Sequence, residues 1–346
     1  MPSKVRRPVL AGWIGLALVL LCAGLASLAS CTKRKNEVVV YTSVDQVFSE
    51  PIFRAFERQS GLTLRAVFDT EETKSTGVLN RLIAEAQNPQ ADVFWSGDPV
   101  RPFQLVERGL VEPYVSPQAA GLPASARAAD GTWTGFAARA RILLVNKSRV
   151  PPAEMPRSIR DLANPRWRGQ TTLANPLFGT TTMHVAALFS AWGEARTRAF
   201  LGELKTNGVR IASSNGEVKR LVVSGEVAFG LTDTDDGNEA LREGANVEVV
   251  YPDQDELGTL VMPTSVVLLR RAPHADAGRR LIDYLLSAEV ERRLAESAAH
   301  MPLREGVATP ANVRSAAGMR VMQVDYKRVS EQIEAQQAWV RKWVGL

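Results

Sequence analysis

From Glu37 onward the chain alternates short β-branched runs with segments of helical spacing, and this alternation restricts the fold more than any other feature. "EVVVYTS" is followed by "VFSEPIFRAFERQSG", where Val47, Ile52, Phe53 and Phe56 recur at helical intervals and Gly61 closes the segment. "LTLRAVFD" then reads as a strand, "STGVLNRLIAEAQNP" as a helix stopped by Pro89, and "ADVFWSG" as a third strand. "RARILLVN", "QTTLA", "GVRIA", "EVAFGL" and "NVEVVY" continue the pattern, with no internal repeat, heptad or low-complexity stretch. Strands interleaved with helices of about 10–15 residues predict βαβ units and a mostly parallel sheet, hence an α/β fold. The tail, "GMRVMQVDYKRVSEQIEAQQAWVRKWV", reads as a long amphipathic helical segment packed across the outside.

In open parallel sheets, ligands bind beyond the carboxyl ends of the strands, near the helix starts that follow. The junctions in question are Thr42–Gln46, Asp69–Thr76, Ser96–Pro99, Asn175–Thr182, Ser213–Glu217 and Thr232–Asn238, all rich in Ser, Thr, Asn, Asp and Gly. Such residues are also simply good N-caps, and "SNGE" (Ser214 to Glu217) fits a capping box. The last junction stands out. In "AFGLTDTDDGNEAL" a strand breaks into Asp233, Asp235 and Asp236 before a helix restarts. Three carboxylates so close repel one another, and they face water, a metal ion, an ammonium group or a substrate.

The first residues give an address. Lys4, Arg6 and Arg7 precede "VLAGWIGLALVLLCAGLASLAS", the layout of an export signal, although the run is also long enough for a membrane anchor. "LASC", Leu28 to Cys31, resembles a bacterial lipoprotein signal. That implies a cleaved segment 1–30, lipidation of Cys31 and a tether over 31–36. On either reading the remainder is exported and held at the membrane. Cys22 and Cys31 are the two cysteines, so no disulfide, thiolate nucleophile or cysteine metal site is expected. The formal net charge is +5, but Lys4, Arg6, Arg7, Lys33, Arg34 and Lys35 all precede Asn36, which leaves −1 from there onward. A nucleic-acid partner is excluded on that ground.

The order of the junctions is similar to that of a known family. "VVVYTSVDQVFSEPIFRAFERQSGLTLRAVFDTEETKSTGVLNRLIAEAQNPQADVFWSGDP" resembles the start of the ferric-iron-binding family of periplasmic solute-binding proteins. "GFAARARILLVN", "LANPRWRGQTTLANP", "VVSGEVAFGL" and "HADAGRRLIDYLLSAEVERRLAE" agree, so the resemblance covers nearly the whole chain beyond the tether. It implies a two-lobed type II periplasmic-binding-protein fold, with a hinge of two crossing strands and an interlobe cleft. The crossings are placed near Phe136–Arg141 and Val261–Ser265. Lobe 1 is then 37–137 plus 266–305, lobe 2 is 138–264, and 306–346 packs across the lobes.

The resemblance also carries residues. Iron-binding members place a histidine shortly after the first strand, where this chain has Asp45. They supply a carboxylate after the second strand, for which Glu71 or Glu72 stands here. Their two adjacent tyrosines align with Asp235 and Asp236, so a carboxylate pair replaces a phenolate pair. Carboxylates are hard oxygen donors that suit many cations and suit an ammonium group equally. The cation end, Asp45, Asp235 and Asp236, thus awaits a metal ion or an amine. The anion end is better kept: Gly179 opens a helix with Thr180 to Thr182 as hydroxyl donors on its first turn, Asn215 matches a second anion-contacting position, and Arg139 offers a guanidinium fork, or else a salt bridge across the hinge. His184 reads as packed, while His274 and His300 lie in loops without a second histidine at metal spacing.

The expected function is that of a solute-binding lipoprotein of an ABC importer, exported and lipid-anchored, monomeric and partnered by a permease. It would capture ferric iron (or another hard cation) with a synergistic anion, or a small phosphate- or phosphonate-bearing solute, with no cofactor and no catalysis. The alternative is an exported hydrolase or transferase using Asp233, Asp235 and Asp236 on a divalent metal. The lack of a base or nucleophile beside those carboxylates separates the two.

Overall fold

β1 (Glu37–Thr42), β2 (Thr63–Phe68) and β3 (Val93–Ser96) run parallel, linked by α1 (Gln46–Ser60) and α2 (Thr76–Ala84). This is the βαβ arrangement that the alternation predicts. The computed structural model describes residues 36–70, 76–314 and 316–346, so the signal, Cys31, Glu71 and Glu72 lie outside the described residues. α3 (Val100–Glu107) leads to the short β4 (Val111–Glu112), and β5 (Thr134–Asn146) is buried along its whole length. Then come β6 (Thr171–Ala174), α4 (Gly179–Trp192), α5 (Glu194–Thr206), β7 (Arg210–Ala212), α6 (Asn215–Val223), β8 (Phe229–Asp233), α7 (Thr234–Arg242) and β9 (Val247–Val250). β10 (Val261–Leu269), α8 (Ala275–Leu285), α9 (Ala288–Ala298) and α10 (Tyr326–Val344) complete the chain. None of the described helices is long and apolar enough to cross a membrane.

The strand order is β2-β1-β3-β10-β5-β8-β6-β7, with β4 on β10 and β9 on β5. β5 belongs to both lobes. Thr134 to Ala140 pair with β10, and Arg141 to Val145 pair with β8. β10 in turn pairs with β5 from Val261 and with β3 from Ser265. These antiparallel neighbours are the crossing strands. Beyond the handover, β5 alternates between two cores. Leu143 and Val145 enter one with Phe189, Leu201 and Phe229, whereas Ile142 and Leu144 enter the other with Val218 and Leu221. The first lobe likewise buries Val38, Val40 and Trp95 on one side of its sheet, and Tyr41, Phe94 and Leu105 on the other. Trp95 is fully buried and stacks on Phe136 at 5.7 Å, so it belongs to the core beneath the cleft.

The crossing carries a β-bulge. Pro263 pairs with Ala138 and Thr264 with Phe136, leaving Ala137 as the extra residue with φ 45°. Its N–H leaves the ladder and is taken, at 3.0 Å, by the carboxylate of Glu291, a fully buried residue of α9. The tail differs from its expected single helix. Val321 bridges to Thr259, Met322 N–H reaches the Thr259 carbonyl at 2.9 Å, and the helix begins only where Asp325 caps it. α10 then lies on both α3 and α4, over a seam of Val100, Met183, Ala186, Met262 and Ile333.

Candidate functional site

The site is built around one cross-strand pair. Register places Arg141 of β5 opposite Asp233, the last residue of β8. Both are essentially fully buried, and Arg141 Nη1 donates to Asp233 Oδ1 at 2.7 Å. A charge buried that deeply is stable only when its other polar atoms are also matched. Here they largely are. Arg141 Nη1 also donates to Thr180 Oγ1 (2.9 Å) and Asn215 Oδ1 (3.2 Å), and Nη2 donates to Thr181 Oγ1 (3.1 Å). Asp233 Oδ2 accepts from Thr180 Oγ1 (2.8 Å) and Asn215 Nδ2 (3.1 Å).

Arg139 stands two residues earlier, and strand alternation puts it on the same face. Its Nη1 donates to Asp235 Oδ2 at 2.9 Å and lies 3.4 Å from Asp233 Oδ2, while Nη2 donates to the Gly97 carbonyl at 2.6 Å. Burial works against its charge, but Asp235, Asp233 and Asp45 more than offset that and raise its pKa above that of an ordinary arginine. The guanidinium therefore spans the cleft, from the β3–α3 junction of lobe 1 to the start of α7 in lobe 2.

Asp235 and Asp236 fall in the first turn of α7, where the helix dipole favours negative charge. That helix packs closely on β5, since a Cβ at Gly237 would come within 2.8 Å of Ile142 Cδ1. Asp236 is partly buried and accepts from Thr232 Oγ1 at 2.7 Å. Burial first, then the charges of Asp235 and Asp233, push its pKa well above the usual carboxylate range. Oxygens of Asp233, Asp235 and Asp236 all lie within 4.8 Å of one another.

The helix starts of α4 and α6 frame the other end. Gly179 opens α4 with φ 58°, a left-handed conformation that favours glycine, behind Phe178, which supplies no side-chain cap. Asn215 opens α6 behind Ser214, whose hydroxyl accepts the Glu217 N–H at 3.1 Å. Glu217 reaches back to the Ser213 N–H, one residue beyond the N-cap that the regular box would use. Between the two starts lies a cavity of about 20 Å³ lined by Ala174, Asn175, Gly179 and Asn215. The first N–H groups of a helix have no intrahelical acceptors, which suits the two helix starts to an anionic group.

Arg139, Gly179, Thr180, Asn215, Asp235 and Asp236 thus lie together, and Asp45 stands close enough for its charge to act on both Arg139 and Asp236. Glu71 lies outside the described residues. None of the five tyrosines is in the cluster: Tyr41 donates to Glu85, Tyr114 donates to Asp283, and Tyr251, Tyr284 and Tyr326 pack elsewhere. His184, on α4, is buried; burial and then Arg141 push its pKa down to about 3. Sequence reasoning missed Arg141 and the Gly97 carbonyl, and it placed Thr181 as a donor to an anion, where its Oγ1 accepts from Arg141 Nη2. The "RAR" spacing, two arginines on one face of a strand, was the available signal.

The sequence model of a family described as bacterial extracellular solute-binding protein matches residues 88–331. The chain is 28% identical to "Iron uptake protein A1" of Synechocystis sp., over 84% of this chain and 82% of that protein. It is 26% identical to a Salmonella typhi protein named "Putative 2-aminoethylphosphonate-binding periplasmic protein", over 92% and 90% respectively. Among solved structures, apo ferric ion-binding protein A of Pasteurella haemolytica superposes with a TM-score of 0.80 at 23% identity, covering 89% of this chain and 98% of that one. At that identity the likeness speaks for the fold, the two-lobed type II periplasmic-binding-protein architecture.

Proposed function

The chain belongs to the bacterial extracellular solute-binding protein family, and from that premise we propose that it captures a small solute bearing both an ammonium group and a phosphate or phosphonate. The observation that carries this reading is Arg139, a nitrogen cation seated on Asp235 and Asp233 inside the cleft. An ammonium group makes the same N–H to carboxylate bonds and can take over that seat. The anionic head would occupy the starts of α4 and α6, with the backbone N–H groups of Gly179, Thr180 and Asn215 as donors. The S. typhi relative is named for a ligand of this class. Capture in the cleft is followed by delivery to the permease of an ABC importer, by a monomer acylated at Cys31 and tethered at the membrane. The family is one of binding proteins, which leaves the exported-hydrolase alternative without support.

A second reading is favoured by one observation. The convergence of three carboxylates within 4.8 Å also suits a hard cation such as ferric iron, carried as cargo with an anion beside it. Isothermal titration separates the two. Stoichiometric heat with 2-aminoethylphosphonate, unchanged by EDTA, is the expected result. Heat with ferric citrate alone, abolished by EDTA, would overturn the amine reading in favour of metal. In that event the complex should lack an intense phenolate-to-iron band, because no tyrosine lies in the cluster.

A further inference from the structure

His300 follows α9, where Ala299 closes the helix in a left-handed conformation. The loop is bolted to the crossing strand. Ala138 and Met301 exchange backbone bonds of 2.8 and 2.7 Å, and Glu291, which holds Ala137, also accepts the N–H groups of Leu303 and Arg304. Met301 sits opposite Ala138 and shares its apolar cluster. Alternation then turns His300 to the other face of that pairing, the face that Arg139 occupies.

The imidazole is 1% exposed, yet neither ring nitrogen has a hydrogen-bond partner. Burial and then the charge of Arg139 push its pKa well below that of an ordinary histidine, while Asp233 pulls the other way. The ring is therefore neutral, with one donor and one acceptor, both unmet. Buried polar atoms left unmet are costly and uncommon, and a pair of them beside a ligand cleft points to a partner that arrives with the ligand. The group of converging ligand atoms comprises Asp233, Asp235 and Asp236 and does not include His300.

We propose that His300 is a specificity residue of the solute site: when a primary ammonium group replaces the Arg139 guanidinium on Asp235, the His300 ring accepts one of its N–H bonds. This rests on the reading of the solute given above. It makes the site a discriminator between ammonium groups that can donate and quaternary ones that cannot.

The test is titration of 2-aminoethylphosphonate and its N,N,N-trimethyl analogue into the wild type, His300→Phe and His300→Gln. The Phe variant should lose about tenfold or more in affinity for the primary amine and change little toward the trimethyl compound. The Gln variant, which restores an acceptor, should recover most of the loss. Wild-type affinity in the Phe variant, or an equal loss for both compounds, would overturn the proposal while leaving the zwitterionic solute in place. A wild type that binds neither compound would overturn both. On the unaltered protein, ring ¹⁵N NMR should show one His300 nitrogen shifting on addition of the primary amine. A ring that does not respond counts against the proposal even if the variants fail to fold.

Discussion

Arg141 and Arg139 are the same side chain, two positions apart on one face of one strand, and they anchor opposite ends of the site. Every described partner of the Arg141 side chain belongs to lobe 2: Thr180, Thr181, Asn215, Leu231 and Asp233. Arg139 divides its bonds between Asp235 in lobe 2 and the Gly97 carbonyl in lobe 1. One arginine therefore ties a rigid body to itself, whereas the other ties two bodies together. The role of a buried charge is set by whether its partners move with it, more than by its depth.

The largest effect expected from this contrast is on stability. Arg141→Met would leave Asp233 buried without its main counter-charge and should cost about 3–5 kcal/mol in a denaturant titration. Arg139→Met should cost clearly less, since Asp235 lies at a helix start at the cleft, and should show instead in solute affinity and lobe closure. Equal losses in the two variants would erase the distinction. Next comes His184, whose charge is opposed by burial and by Arg141. Its folded pKa, about 3, lies below the ordinary 6.5, so between those values the unfolded chain binds a proton that the folded chain refuses. That stability is fully present above pH 6.5 and is lost as the pH falls toward 3, by at most about 1.4 kcal/mol per pH unit. Chemical denaturation across that range should show the fall in the wild type and a shallower one in His184→Leu.

The Arg139 end should answer in binding. Asp235→Asn and Asp236→Asn are each expected to lose about tenfold in affinity for the natural solute, near 1.4 kcal/mol. Asp233→Asn should register chiefly as lost stability. Calorimetry showing wild-type affinity in both of the first two variants would place Asp235 and Asp236 outside the solute's reach. The smallest effect belongs to Thr181→Val, which removes one hydrogen bond to Arg141 and should cost about 1 kcal/mol with binding unchanged. A loss of affinity there would mean that the Thr181 hydroxyl itself touches the solute.

Much of this was legible beforehand, for reasons that differ from place to place. Strand and helix periods locate β1, α1, β2 and the β8–α7 junction because the pattern is local. The site junctions follow from where parallel strands end. The ion pairing did not follow, because Arg141 meets Asp233 through the β5–β8 register, a relation between residues far apart in the chain. Arg139 read as an anion fork, with a salt bridge across the hinge as the alternative, but sequence gives no sign that its partner is Asp235 at 2.9 Å. The tail misled for a similar reason. Its helical spacing begins ahead of Asp325, whereas pairing with Thr259 holds Val321 and Met322 outside the helix.

The strand that both lobes share also orders events in time. The strands of lobe 2, β5 from Arg141 onward and β6 to β9, pair with one another from contiguous chain. Lobe 1 cannot complete its sheet until β10 arrives: Trp95 donates to Thr264, 169 positions later. Contacts of that separation are slow to form and leave β3 with an open edge meanwhile. On a chain emerging amino end first, lobe 2 is therefore expected to gather before the lobe that precedes it, and the unpaired β3 edge is where a stalled chain would aggregate.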